Sequence, residues 1–318
     1  MTKPAVLFAT ATLIWGSTWI AITFQLGVVA PEVSVVYRFA LASAIVFVWC
    51  LLRRHSLRFN SRVHIWLAAQ GATLYGLNYV GVYLAERHVA SGLVAVAFST
   101  LVFLVPIGSR LVFATALEPR VVIGALLGVT GIAFLFLPEL RSATIGDATA
   151  IGVAYALGAT VLASIGNLIA VRLQRDRIPV MSAIAWGMGY GAATAAVWAW
   201  LAGSGWSFDA RLPYIASLVY LAVLGSVVAF GAYLHLIEKV GAGRASFTAV
   251  LIPVVAMILS TLFEGYRWTA TGAIGAALAL VGNYVALMAR REHSPARRAE
   301  ARDSPQTPDA KGTQAAQS

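Results

Sequence analysis

Acidic side chains are scarce in this chain, with 13 Asp and Glu against 23 Lys and Arg among 318 residues. Cysteine is scarcer still: a lone Cys50 excludes a disulfide within one chain and a thiolate metal cluster. There is no HExxH, no P-loop, no GxSxG on a strand-to-helix turn and no buried acid pair. "GSG" at 203–205 sits between apolar stretches and reads as a turn. No metal, cofactor or catalytic set is therefore expected. A membrane enzyme would need convergent acids, bases or ligands at matching depth, and a sensor would need a soluble domain to relay its signal. Neither is legible here.

What abounds is apolar surface, with 59% hydrophobic and 11% charged residues and a mean hydropathy of +0.79. That composition belongs to membrane proteins. Stretches near the ~20 residues a bilayer-crossing helix needs recur at 4–23, 32–52, 63–85, 90–113, 120–137, 148–171, 179–202, 212–236, 243–263 and 268–289. The expectation is an all-α polytopic membrane protein of ten transmembrane helices. Pro106 and Pro253 fall inside two of them and predict kinks. The first apolar run is too long for the h-region of a signal peptide and is read as retained.

Basic residues set the orientation. With the N-terminus inside, the inner segments hold Lys3, Arg53, Arg54, Arg58, Arg62, Arg110, Arg120, Arg172, Arg175, Arg177, Lys239, Arg244 and six in the tail, 18 of the 23. Outer loops hold Arg87, Arg141, Arg211 and Arg267, and Arg38 lies within a span. This bias predicts cytoplasmic N- and C-termini in a plasma (inner) membrane. The net charge of +10 is spread over loops, so no nucleic-acid partner is expected. The tail, 290–318, is poor in large apolar residues and is expected to be disordered, with weak attraction to anionic lipid.

The chain also repeats itself. "PEVS" (31–34) falls on "PVMS" (179–182) at an offset of 148, and "ERHVASG" (86–92) resembles "EKVGAG" (238–243). At an offset of 151, Gly92, Gly124 and Gly131 meet Gly243, Gly275 and Gly282, while Gly128 meets Ala279. Each half, 1–143 and 144–289, then holds five spans. Five is odd, so the second half enters from the opposite side, which predicts two inverted five-helix repeats.

"LIWGSTWIAI" near the N-terminus, "APEVSVVYRFALASAIVF" with its embedded arginine, and the paired halves resemble EamA-type carriers of the drug/metabolite transporter superfamily. The resemblance reaches to about residue 289. It implies an inner-membrane carrier, usually exporting small metabolites, with a central cavity lined mainly by spans one, three, four, six, eight and nine.

The polar residues in the spans fit that picture. Thr12, Trp15, Trp19 and Thr23 form one helical stripe, with Gly16 beside it. Tyr75, Asn78, Tyr79 and Val82 form another, as do Thr160, Ser164 and Asn167, and Ser226, Phe230 and Tyr233. Hydroxyls and amides in hydrocarbon sit between helices or face a cavity. Trp15, Trp19, Tyr75, Asn78, Tyr79, Ser164, Asn167 and Tyr233 are thus candidate cavity residues, against interhelical bonding or interfacial anchoring.

Arg38, six residues past Glu32 and so ~9 Å into its span, has three readings. It attracts a substrate's anionic group, forms a gate pair with Glu86 or Glu32, or snorkels to the headgroups. All thirteen acids sit at helix ends, in loops or in the tail, which disfavours a cation antiporter built on a buried carboxylate. His235 is read as a hydrogen-bonded structural histidine. The small faces around Gly124 and Gly275 predict helix packing, within one chain or in a homodimer. The expected function is export of a small zwitterion or organic anion such as an amino acid. Multidrug or amine efflux is the alternative, with the non-transporting sensor more remote.

Overall fold

The computed structural model describes residues 3–142, 148–240, 245 and 247–292; among these there are helices and no strand. They run α1 (Pro4–Thr23), α2 (Pro31–Leu52), α3 (Ser61–Gln70), α4 (Leu77–Glu86), α5 (Ser91–Ser99), α6 (Leu101–Phe113), α7 (Pro119–Ser142), α8 (Ala148–Arg175), α9 (Val180–Leu201), α10 (Leu212–Val219), α11 (Ala229–Val240), α12 (Thr248–Phe263) and α13 (Ala270–Glu292).

Proline punctuates the starts. It occupies the first or second position of α1, α2 and α10 and directly precedes α9, where its missing N–H is no loss and its fixed φ suits the helix. Left-handed residues mark the stops. Arg54, Arg177 and Gly203 have φ of 54°, 59° and 67°. In each case the next N–H reaches back to close the helix, from His55 to Cys50 O, Ile178 to Leu173 O and Ser204 to Ala199 O.

Eight helical runs are long and apolar enough to cross a membrane, including the unbroken-in-sequence run Ser91–Phe113 and the run Leu212–Tyr233. The chain is therefore a multi-pass membrane protein. The expected span 63–85 is helical over 61–86 but is not one α-helix: Gly71–Gly76 is a π-helical insert between α3 and α4. A matching insert, Tyr220–Val228, separates α10 from α11. The expected span 243–263 is α12, 16 residues long and apolar, while 241–244 and 246 lie outside the described residues. So does the tail from 293. The break in the fourth stretch falls at Thr100, whose hydroxyl bonds Ala97 O at 2.7 Å, and not at Pro106.

The main interfaces pair α7 with α13, α2 with α9, and α5 with α12. α1 packs on α11 and α12, while α8 packs on α4 and α6. With α5 and α6 together taken as the counterpart of α12, exchanging the helices of the first half for those of the second reproduces this set. Between α7 and α13 the backbones nearly touch: a Cβ on Gly131 would meet Ala279 N at 2.4 Å, and one on Gly124 would meet Gly282 O at 2.5 Å. The glycine faces thus pack against each other within one chain.

At one end of the bundle, where the connections 24–30, 87–90, 202–211 and 264–269 gather, polar bonds tie the helices together. Tyr83 donates to Gln25 Oε1 at 2.8 Å, and the Ser34 and Tyr214 hydroxyls share a bond of 3.0 Å. Ser204 donates to Glu32. Glu264, just past α12, accepts from Ser91 N at 3.2 Å and Ser91 Oγ at 2.6 Å, capping α5 from another helix. Glu264→Ala is expected to lower stability by about 1 kcal/mol, read as a lower melting temperature of the purified protein. In the same region Arg211 bonds Asp209 at 2.7 Å, which holds that carboxyl below the usual carboxylate range. A depressed carboxyl contributes stability above its unfolded pKa and loses it as pH falls through the folded value. Arg211→Ala should therefore bring any acid-induced loss of order in this connection to higher pH, followed by thermal melts across an acid series.

Candidate functional site

A cavity of about 490 Å³ lies among the helices. Its lining runs from Arg38 and Tyr79 down to Gln174, Ile178 and Val180 at the α8–α9 connection, and no residue of 24–30 or 202–211 contributes. It therefore opens toward the α8–α9 connection and stops short of the tied end. A second recess of about 700 Å³, more open to solvent, lies at that tied end and includes Glu32, Arg87, Trp198 and Ser204. Candidate cavity residues are absent from it.

Trp15, Trp19, Tyr75, Asn78, Tyr79, Asn167, Tyr233 and Arg38 all line the first cavity. α1 carries the two tryptophans one turn apart. Trp15 is fixed by donating Nε1 to Gly225 O at 3.1 Å and packs its ring on Phe230 and Tyr233, with centroids 5.1 and 5.3 Å away. The carbonyl that holds it belongs to the π-helical insert, where the usual i to i−4 ladder is interrupted. Trp19 meets Phe98 at 5.3 Å. Tyr75 and Tyr79 both meet Phe39, at 5.7 and 4.7 Å.

Arg38 is 3% exposed and does not snorkel. Its guanidinium lies 4.7 Å from the Tyr79 ring centroid and 5.2 Å from that of Phe39, and Nη1 makes a long contact of 3.5 Å to the Tyr83 hydroxyl. Its Nε has no partner among the described residues. No carboxylate oxygen lies within 4.0 Å of it among the described residues. The expected gate pair with Glu86 or Glu32 is not formed in this conformation. Glu86 ends α4, is 7% exposed with neither carboxyl oxygen hydrogen-bonded, and stays off the cavity. Glu32 is taken by Ser204.

Ser164 departs from expectation: it is buried at 8% exposure and outside the lining. Three residues separate it from Asn167, a rotation that leaves it ~60° round the helix, enough to miss the cavity. Thr160, Thr12 and Thr23 also fall outside the lining; the Thr160 and Thr23 hydroxyls donate to their own helices, at Ala156 O and Ile20 O. His235 is exposed and bonds Gly231 O of its own helix at 2.9 Å.

Sequence reading missed the contributions of α2 and α9 beyond Arg38, namely Phe39, Ile184 and Met188, and missed Gln70, Phe98 and Ile252. Gln70, a buried amide well inside a span, carried a signal that a stripe search starting at Tyr75 passed over. The apolar members carried none.

A bundle of apolar spans around a one-ended cavity with aromatic and amide walls defines a membrane transporter. The chain belongs to the EamA-like transporter family, whose pattern matches residues 2–137 and 150–288. Relatives include an uncharacterized transporter of Archaeoglobus fulgidus, 25% identical over 91% of this chain and 100% of its own. The uncharacterized inner membrane transporter YedA of Escherichia coli K12 is 28% identical, over 86% of this chain and 89% of its own. A solved crystal structure 21% identical superposes with a TM-score of 0.63 over 92% of this chain and 99% of that one, and shows the same fold.

Proposed function

We propose that this transporter exports a small zwitterionic or anionic metabolite across the plasma membrane, from ten spans arranged as two inverted five-helix halves with cytoplasmic termini. Arg38 is the observation that carries the substrate class: a buried guanidinium on the cavity wall with an aromatic seat and, among the described residues, no carboxylate partner. A permanent cation so placed favours an anionic group and disfavours a lipophilic cation, so amine efflux is the weaker reading.

The matched exchange of helix pairings, the π-helical inserts in corresponding positions and the left-handed stops at Arg54 and Gly203 support the repeat. The loop arginines support the orientation, under which the cavity opens to the cytoplasm. Export then proceeds by rocking of the halves, which releases the bonds at the tied end as the α8–α9 end closes.

The test is metabolite export from cells overproducing wild type, Arg38→Ala or nothing. Zwitterions or organic anions leaving faster with wild type alone are the expected result. Export of lipophilic cations only, or equal export by Arg38→Ala, would remove the proposed substrate class.

A further inference from the structure

Two asparagines on the cavity wall each spend one N–H in the same way. Asn78 donates Nδ2 to Leu74 O at 2.7 Å, and Asn167 donates Nδ2 to Ala163 O at 2.8 Å, each to the carbonyl four residues back on its own helix. What each has left is a carbonyl oxygen and its second N–H. Asn78 is 0% exposed and its Oδ1 has no donor among the described residues, an arrangement that is costly unless something else supplies one.

The two residues stand close along one interface. A Cβ on Gly166 would meet Leu74, and one on Gly81 would meet Ala159, so the π-helical insert and α4 together run antiparallel to α8 and in contact with it. Asn167 then sits near the level of Leu74, and Asn78 about one turn, ~5 Å, further along. The same cavity wall includes the rings of Trp19, Tyr79 and Phe98. Acceptor oxygens beside electron-rich ring faces are what a compact N–H cation needs. Neutral acceptors also have an advantage over a carboxylate here: an acid facing the same cavity would pair with Arg38 and occupy it, whereas amide oxygens leave the guanidinium free.

We propose that Asn78 and Asn167 form the ammonium half of a two-ended site, holding the primary amine of a substrate whose carboxylate is held by Arg38. This rests on the zwitterion-or-anion reading above and narrows it to molecules of the amino-acid type, carrying both groups. A buried acceptor left without its donor, as Asn78 Oδ1 is here, discriminates strongly against an analogue that lacks the amine.

Three probes with one carbon body test this: leucine, isocaproate, which lacks the amine, and isoamylamine, which lacks the carboxylate. Binding to the purified protein is read from tryptophan fluorescence, since Trp15 and Trp19 line the cavity. Wild type is expected to bind leucine at least ~10-fold more tightly than isocaproate. Asn78→Leu and, separately, Asn167→Leu should bring leucine down to the isocaproate affinity while isocaproate itself still binds, which also shows that the variants are folded. Retained discrimination in both variants, or equal binding of leucine and isocaproate by wild type, overturns the ammonium site and leaves the broader reading standing. Binding of none of the three, or of isoamylamine alone, overturns both.

Discussion

Arg38→Lys is expected to keep the charge and lose most of the transport, by roughly 10- to 100-fold in initial export rate, the scale of one or two charge-assisted hydrogen bonds. A guanidinium is flat. It can stack on Tyr79 and Phe39 while still offering N–H groups in its plane to a carboxylate, and its weak hydration suits a site that is 3% exposed. A lysine ammonium is a strongly hydrated point charge that cannot stack and donate in two directions at once. Arg38→Ala should fall at or below the lysine variant. Export must be normalised to folded protein in the membrane, because removing the stack also costs about 0.5–2 kcal/mol of packing. Wild-type transport in Arg38→Lys would mean that charge alone matters and that a forked contact to carboxylate is not made.

Gly275→Leu should have the largest effect on folding. A Cβ at this position would stand 2.3 Å from Leu135 N and 2.6 Å from Gly131 O, and both obstacles are backbone within a hydrogen-bonded helix. A side-chain neighbour can change rotamer; here a whole helix has to move. The expected cost is about 3 kcal/mol or more, seen as loss of the monodisperse peak in size-exclusion chromatography and of a cooperative melt. Gly158→Ala is the contrast. Nothing lies within 4 Å of its added Cβ, so it should be neutral or stabilise α8 by up to ~1 kcal/mol. Because the glycine faces of α7 and α13 are spent on each other, a second subunit would have to dock elsewhere.

The places where sequence reading succeeded and failed have a common physical basis. Arg38, the tryptophans of α1 and the asparagines stood out because polar atoms in an apolar stretch have few tolerated environments, and one of those is a cavity wall. Ser164 misled because a step of three residues turns its side chain ~60° away from Asn167, enough to leave it buried and off the cavity wall. Phe39, Met188 and Ile252 could not be found: an apolar residue in a membrane helix suits lipid, core and cavity alike.

The sequence by itself determined that this chain is a multi-pass helical membrane protein of a transporter family. Length and hydropathy of the apolar runs decide that locally, and the loop glycines and helix-starting prolines punctuate it residue by residue. Only the tertiary structure decided that the cavity opens toward the α8–α9 connection, that Arg38 rests on aromatic rings with no ion pair to Glu86, and that the glycine faces meet within the chain. Those outcomes depend on which helices come into contact and at what rotation. Both are set by close packing summed over residues far apart in sequence.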